Sequence, residues 1–350
     1  MNWGPEAQVR EPEAGKMIAA LVEACEKMGC EAIIDTARVY QLGQTEELIG
    51  RLLKQEGQPW SGKDIKIHTK AAPQVSPLTA DNVRKQLEAS LEALQMDSVD
   101  VFYLHMPEIN VDPEETFGAC NELYKEGKFK ELGLSNYAAW DVVRCHALCE
   151  KHGWVVPTVY QGVFNALARG FNSELFPAVR TLGMRVYVYN PLGGGLLTGR
   201  YTKLEDILEA EDGRFSSKFD LVPASVKHSF KGKASSAYRS RYAHEEMMKA
   251  CQLLIDTCGK DNMVNKAFAW LRHSSYLSAP DGIIFGASKI HHCTANLDAF
   301  VHSEPLTSKE SDAFDEAARL AAPAQPGYAR QYGNGFGGSE IYMQRFVLEK

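Results

Sequence analysis

Ala14, Met17, Ile18, Leu21, Val22, Cys25 and Met28 recur three and four apart. That is the spacing of a helix face turned toward a core, and Gly29 follows as its stop. Ala32-Ile33-Ile34 then make a short apolar run into Asp35, which predicts a strand. The alternation continues. Residues 45–56 read as a helix and 65–68 as a strand. Thr79 is placed to cap a helix whose inner face is Val83, Leu87, Leu91 and Leu94. Residues 99–104 form an apolar strand of the kind buried on both faces. Helices are predicted around 116–126, 140–152 and 173–182, with strands into 133–136 and over 157–160, 185–189 and 282–285.

Strands separated by helices imply a parallel sheet. Seven of them in this rhythm predict an α/β chain of (β/α)8 TIM-barrel class, one strand short, in a single domain over 1–350. Met1-Asn2-Trp3-Gly4 leaves room only for a stub before the first helix, so the first strand is expected to be truncated. An open barrel would expose two strand edges. Residues 193–279 exceed a plain crossover and read as a lid or substrate-binding segment, with a polar stretch at 205–233 and helices over 245–258 and 262–275. The tail over 324–350, rich in Gly, Tyr and Arg, reads as irregular.

Composition narrows the class. The chain is 45% hydrophobic and 24% charged, with a net charge of −7, which argues against a nucleic-acid groove. No apolar run approaches the roughly 18 residues of a membrane span, and no secretory signal pattern opens the sequence. The eight cysteines are scattered, without the paired spacing of a zinc site, so no metal is expected. Reduced thiols in a cytoplasmic protein are the expectation.

Candidate chemistry gathers at the strand ends. Asp35 stands in DTARVY with Tyr40, Lys70 in HTKAAP and His105 in YLHMP, one βα unit apart. Three successive parallel strands would deliver them to the C-terminal rim, where barrel enzymes place catalytic groups. Hydride addition to a carbonyl leaves negative charge on oxygen, which must be protonated. A phenol near pKa 10 is a poor acid at neutral pH unless a cation lowers that value. Lys70 supplies the cation, Asp35 would fix it, and His105 can orient the carbonyl, which leaves Tyr40 as the proton donor. Singly these residues have ordinary readings as a helix cap, a core tyrosine, a rim charge and a turn histidine. Their joint occurrence in order carries the weight.

Several motifs extend the pattern: Asp35-Thr36-Ala37-x-x-Tyr40, Gly43-Gln44-x-Glu46, Thr69-Lys70, Leu104-His105 and Gly133-Leu134-Ser135-Asn136. To these add Asn190-Pro191-Leu192-x-Gly194-Gly195-Leu196-Leu197-Thr198-Gly199 and Gly286-Ala287-Ser288. Together they resemble the aldo-keto reductase superfamily, and within it the aflatoxin aldehyde reductase-like branch, from Gly4 to about Arg330. The resemblance implies NADPH bound extended, without a Rossmann glycine fingerprint, and Tyr40 as acid beside Asp35, Lys70 and His105. Ser135 and Asn136, helped by Gln161, would hold the nicotinamide carboxamide, with Tyr189 as a shelf behind the ring. Asn190, Pro191, Leu192, Gly194, Gly195, Leu196 and Arg200 would form the loop over the pyrophosphate. Ser288 and Lys289 would take the 2′-phosphate at a helix N-terminus, and His292 and Asn296 would border the adenine. The branch often has Gln where His292 stands.

Arg214 resembles a lid residue near the phosphates, and Tyr238 and Arg241 match a pattern that lines the substrate pocket. Tyr328 and Arg330 match a C-terminal Tyr-x-Arg, but this chain runs 20 residues past Arg330. That departure puts the arginine's part in binding acidic substrates in doubt. The resemblance implies a small carbonyl substrate (aldehyde, dicarbonyl or ketone) and a homodimer, while charge and hydropathy give no nucleic-acid and no membrane partner. Two alternatives stay open: an NADPH-binding regulatory subunit with little turnover, and a truncated, inactive barrel.

Overall fold

The computed structural model describes residues 3–5, 7–216 and 233–329. Among these, seven strands form one sheet in chain order: β1 (Ala32–Asp35), β2 (Ile65–Ala71), β3 (Val99–Leu104), β4 (Phe129–Ser135), β5 (Pro157–Val163), β6 (Arg185–Tyr189) and β7 (Gly282–Ile284). Each pairs with the next in the parallel sense. With helices outside, they curl into a nearly closed barrel of the (β/α)8 class. All seven predicted strands are present. β2 runs three residues further than its apolar pattern suggests, so Lys70 lies within the strand and not beyond it.

β1 and β7 stand at the two ends of the sheet, and β7 is only half-buried. Outside them the helical layer is continuous, because α1 (Glu11–Met28) packs against the helix Ile290–Val301. Helix α1 buries Ala14, Met17, Ile18, Val22 and Cys25, and Gly29 ends it at φ 64, a left-handed turn that glycine adopts without strain. Leu21 and Met28, expected on the inner face, are half-exposed at its flank. The next helices are α2 (Gln44–Leu53), α3 (Ala80–Leu94), α4 (Pro113–Lys125), α5 (Ala139–His152) and α6 (Leu175–Thr181). Thr79 caps α3 as expected, its side chain accepting from Asn82 N at 3.4 Å.

The 193–279 segment holds more structure than its sequence announced. It opens with a 3-10 turn, Gly193–Thr198, and adds two helices not predicted, Leu204–Leu208 and Lys233–Tyr242. Glu245–Cys258 is helical as expected. The second predicted helix divides into Met263–Ala269 and a π-helical turn over Trp270–Ser274. A further helix, Ser308–Ala321, is closed by a Thr307–Glu310 capping box.

Side chains fill the barrel's interior. Val101, Tyr103, Val159 and Tyr187 form a cluster separate from the main core. The His68 ring lies 5.9 Å from Tyr103 and 5.3 Å from Tyr187. Room for these rings comes from glycine on the adjacent strand. A methyl group on Gly133 would collide with Tyr103, and one on Gly282 with Tyr187.

Burial drives His68 from the usual 6.5 down to about 4, with Asp35 pulling the other way and Lys70 reinforcing the fall. Its Nδ1 has no partner among the described residues, so the interior holds a neutral imidazole at neutral pH. Between pH 6.5 and about 4 the unfolded chain binds a proton that the folded chain refuses. Stability should therefore fall as pH drops through that window, by about 3 kcal/mol from this residue. Urea titrations from pH 7 to 4 should show that slope, flattened in His68→Ala; an unchanged slope would remove the assignment.

Candidate active site

The end of β2 carries Lys70 into the barrel's upper interior, where the residue is 1% exposed. A charged amine cannot be left there without partners. Its Nζ donates to Asp35 Oδ1 at 2.5 Å and to the Thr36 carbonyl at 2.7 Å, both at the end of the adjacent β1. The other Asp35 oxygen accepts from Gln161 Nε2, across the barrel on β5, at 2.7 Å. Burial pulls the Lys70 pKa below its usual value, while Asp35 opposes the fall.

Tyr40 and His105 complete the cluster. Lys70 Nζ lies 5.6 Å from the centroid of the Tyr40 ring and 5.5 Å from that of Tyr103. The Tyr40 and His105 rings meet edge to face, 5.9 Å apart at 88°. The four residues singled out in the sequence thus stand together at one rim.

Strain concentrates at the same rim. Of the five non-glycine residues with positive φ among those described, Gln41 (49°), Leu42 (53°), Asn136 (64°) and Asn190 (60°) belong to it; the fifth, Gln95, ends α3. Gln41 and Leu42 form the 3-10 turn that begins at Tyr40. A leucine in the left-handed region costs on the order of 1–3 kcal/mol and persists only where its surroundings hold it. Behind the turn, buried Glu46 accepts from Thr69 Oγ1 at 2.5 Å and Arg38 Nη1 at 3.1 Å, tying α2 to the strand that carries Lys70.

The other predicted site residues divide into three groups. Ser135 and Asn136 end β4, and Asn136 Nδ2 donates to His105 O at 2.8 Å and Ser135 Oγ at 2.9 Å. Tyr189, at the end of β6, donates its hydroxyl to Asn136 Oδ1 at 2.6 Å. Gln161, on β5, donates its amide nitrogen to Asp35, which makes it a second anchor of the carboxylate beside its expected place at the nicotinamide end.

The second group is the loop after β6. Gly193, Gly194 and Gly195 take φ of 58, 73 and 108°, which lets Asn190, Pro191, Leu192 and Leu196 turn tightly over the rim. Asn165, which the sequence reading passed over, holds the loop by donating to Asn190 O at 3.0 Å. Tyr238 donates to Asn190 Oδ1 at 3.2 Å, and its ring leaves no room for a side chain on Gly194. Arg214 and Arg241 flank that ring at 5.7 and 6.0 Å. Burial works against the charge of Arg241, yet Tyr189, Tyr242 and Tyr238 hold its guanidinium above its usual range. These contacts depend on the helix Lys233–Tyr242, whose polar sequence carries no apolar stripe to announce it.

The third group lies around the start of the helix Ile290–Val301. Arg200 pairs with Asp212, whose carboxyl is held low by that contact and also feels Lys289 and His292. His292 is depressed by burial and by His291, Lys289 and Arg200 around it, with Asp212 pulling the other way. Asn296 is buried one turn further on. Ser288 is half-buried just ahead of the helix, and Lys289 is exposed at its cap. Glu13, on α1, reaches this helix start and accepts from Ile290 N at 2.6 Å. Nothing in the sequence pattern brought Glu13 to that place. Tyr328 lies apart, bonded to Ala139 N and Glu174 on the outer rim. Arg330 lies outside the described residues.

Removing one member of a buried ion pair strands the other, at a cost of about 3–5 kcal/mol. Asp35→Ala should therefore destabilise the fold more than the double change Asp35→Ala/Lys70→Met, read from urea midpoints. Strict additivity of the two single changes would show that the pair is not coupled.

Comparison with known proteins agrees with this geometry. The aldo/keto reductase family model matches residues 1–319. Aldo-keto reductase family 7 member A3 of Homo sapiens is 40% identical over 308 residues, covering 85% of this chain and 87% of that protein. Aflatoxin B1 aldehyde reductase member 2 of Mus musculus is 41% identical over 307 residues, covering 85% and 79%. The rat protein of the same name is 39% identical over 322 residues, covering 89% and 83%. A barrel rim that assembles Asp35, Tyr40, Lys70 and His105, and a family match across most of the chain, lead to one assignment: the chain belongs to the aldo/keto reductase family.

Proposed function

We propose that this protein reduces aldehydes, and related dicarbonyls or ketones, to alcohols with NADPH, and that Tyr40 is the proton donor. One observation carries the reading: a buried ammonium, fixed on a carboxylate, faces a tyrosine ring that also meets a histidine edge. The aldehyde class rests on the names of the relatives, aflatoxin B1 aldehyde reductases. Free cysteines throughout fit a reducing compartment, and we place the protein in the cytoplasm on that ground.

The residues suit the cofactor. A dinucleotide phosphate needs cations and close backbone approach, and the rim offers Arg200, Arg214 and Lys289 beside the glycine turn at 193–195. Ser135 and Asn136 would hold its carboxamide, and Ser288, His292 and Asn296 its adenosine end. When bound, reduced nicotinamide supplies the hydride.

The chain's own residues govern the proton. Asp35 and the Thr36 carbonyl hold the Lys70 ammonium in place. The ammonium stabilises phenolate at Tyr40 Oη, so the phenol gives its proton more readily to the carbonyl oxygen. His105 orients that oxygen, and its backbone carbonyl is pinned by Asn136. Tyr238 and Arg241 line the substrate's side of the rim.

Two outcomes follow. Tyr40→Phe should lower kcat at least about 10²-fold, the scale of a lost general acid, while NADPH fluorescence titration stays near wild type. Retained turnover would remove the acid assignment. Glu13 places a carboxylate where a 2′-phosphate would approach the helix start. Glu13→Gln keeps an acceptor for Ile290 N but drops the charge, so NADPH affinity should rise a few-fold, about 0.3–1 kcal/mol, while NADH affinity changes little. Equal effects on both cofactors would place the phosphate elsewhere.

A further inference from the structure

The C-terminus of α1 brings two cysteines together on the face of the barrel opposite the candidate site, three residues before β1 begins its run to Asp35. Gly29 N donates to Glu26 O at 3.3 Å and Cys30 N to Cys25 O at 3.0 Å. This pair of bonds is the Schellman arrangement, which folds the residue after the glycine back against the residue five positions earlier. That contact usually joins two apolar side chains. Here both are cysteines.

Their environments differ in a useful way. Cys30 is exposed, and Cys25 is buried against the core. Burial pushes the Cys25 thiol up to about 12, and the Cys30 sulfur, close enough to hydrogen-bond, adds to the rise. The other six cysteines are all buried, including Cys120, Cys145 and Cys149, so an oxidant in solution meets this pair first. A disulfide requires Cα atoms about 4.4–6.8 Å apart with side chains directed at each other. The six-residue turn, closed by its own backbone hydrogen bond, brings the two residues together, and their sulfurs lie within hydrogen-bonding reach of each other.

We propose that Cys25 and Cys30 are a redox modification site, closing reversibly to an intramolecular disulfide when a low-molecular-weight disulfide is the oxidant. The Cys30 thiolate attacks the small disulfide, forming a mixed disulfide and expelling one thiol. Cys25, deprotonated as the helix end frays, attacks the Cys30 sulfur and expels the second. Two protein thiols lose two electrons and two protons; the small disulfide gains both as two thiols. The closed form ties the last turn of α1 to the connection that leads into β1.

Trypsin reads the product directly, because Lys27 separates the two cysteines into peptides 17–27 and 28–38. The full chain is treated with oxidised glutathione, its remaining thiols are alkylated, and it is digested without reductant. Peptides 17–27 and 28–38 should appear cross-linked, and dithiothreitol should release them. Cys25→Ser should stop at glutathione on Cys30. Cys30→Ser should leave Cys25 unmodified in the native protein. Glutathione on peptide 28–38 beside an alkylated 17–27 in the unsubstituted chain would overturn the proposal. A covalent dimer on a non-reducing gel, in place of the internal link, would overturn it as well.

Discussion

Lys70 holds an ammonium in a place where water cannot reach it, and the rest of the site is arranged around that fact. Taking such a charge out of water costs several kcal/mol, which only well-placed partners offset. Asp35 and the Thr36 carbonyl do so from the neighbouring strand, and Gln161 steadies the carboxylate from across the barrel. Three strands are thereby tied through one charge pair. The same pair gives Tyr40 a cation to face, and in the proposed mechanism the interaction that makes the burial tolerable would also prepare the phenol for proton transfer.

The rim around this pair is built against local preference. Gln41 and Leu42 take backbone angles that most side chains avoid, and Asn136 and Asn190 do so at the ends of two other strands. The two asparagines are held by specific partners. Asn136 bonds His105, Ser135 and Tyr189, and Asn190 is gripped by Asn165 and Tyr238. The barrel below supplies the rigidity, with tyrosine rings seated over glycines of adjacent strands. Strain at the rim and close packing beneath it are two sides of one construction.

The strands and most of the barrel helices were legible because burial on one or both faces imposes a period on the sequence. Val99–Leu104 and Arg185–Tyr189 match their predicted ends. The tetrad was legible because residues that have ordinary readings singly occur together, in order, at three successive strand ends. The helix Lys233–Tyr242 was not legible, since its polar surface shows no helical stripe and Tyr238 and Arg241 are fixed by contacts far away in sequence. Glu13 escaped for the same reason: its partner Ile290 lies 277 residues on. The bond from Gln161 to Asp35 was not legible either, because no sequence pattern tells which neighbouring groups an amide will bond. Burial also sets the state of the lumen, where His68 sits neutral among aromatic rings beneath the charge pair.

The proposed chemistry turns on the coupling of one phenol to one ammonium, and that phenol can be titrated. Carbon-13 NMR of ring-labelled tyrosine, with the Tyr40 signal identified by its loss in Tyr40→Phe, gives the ionisation of this side chain alone. The Tyr40 hydroxyl should titrate below the value of about 10 for a free tyrosine. It should move upward once Lys70 is replaced by Met. A Tyr40 that titrates at or above the free value, unmoved by the loss of Lys70, would contradict the coupling on which the mechanism stands.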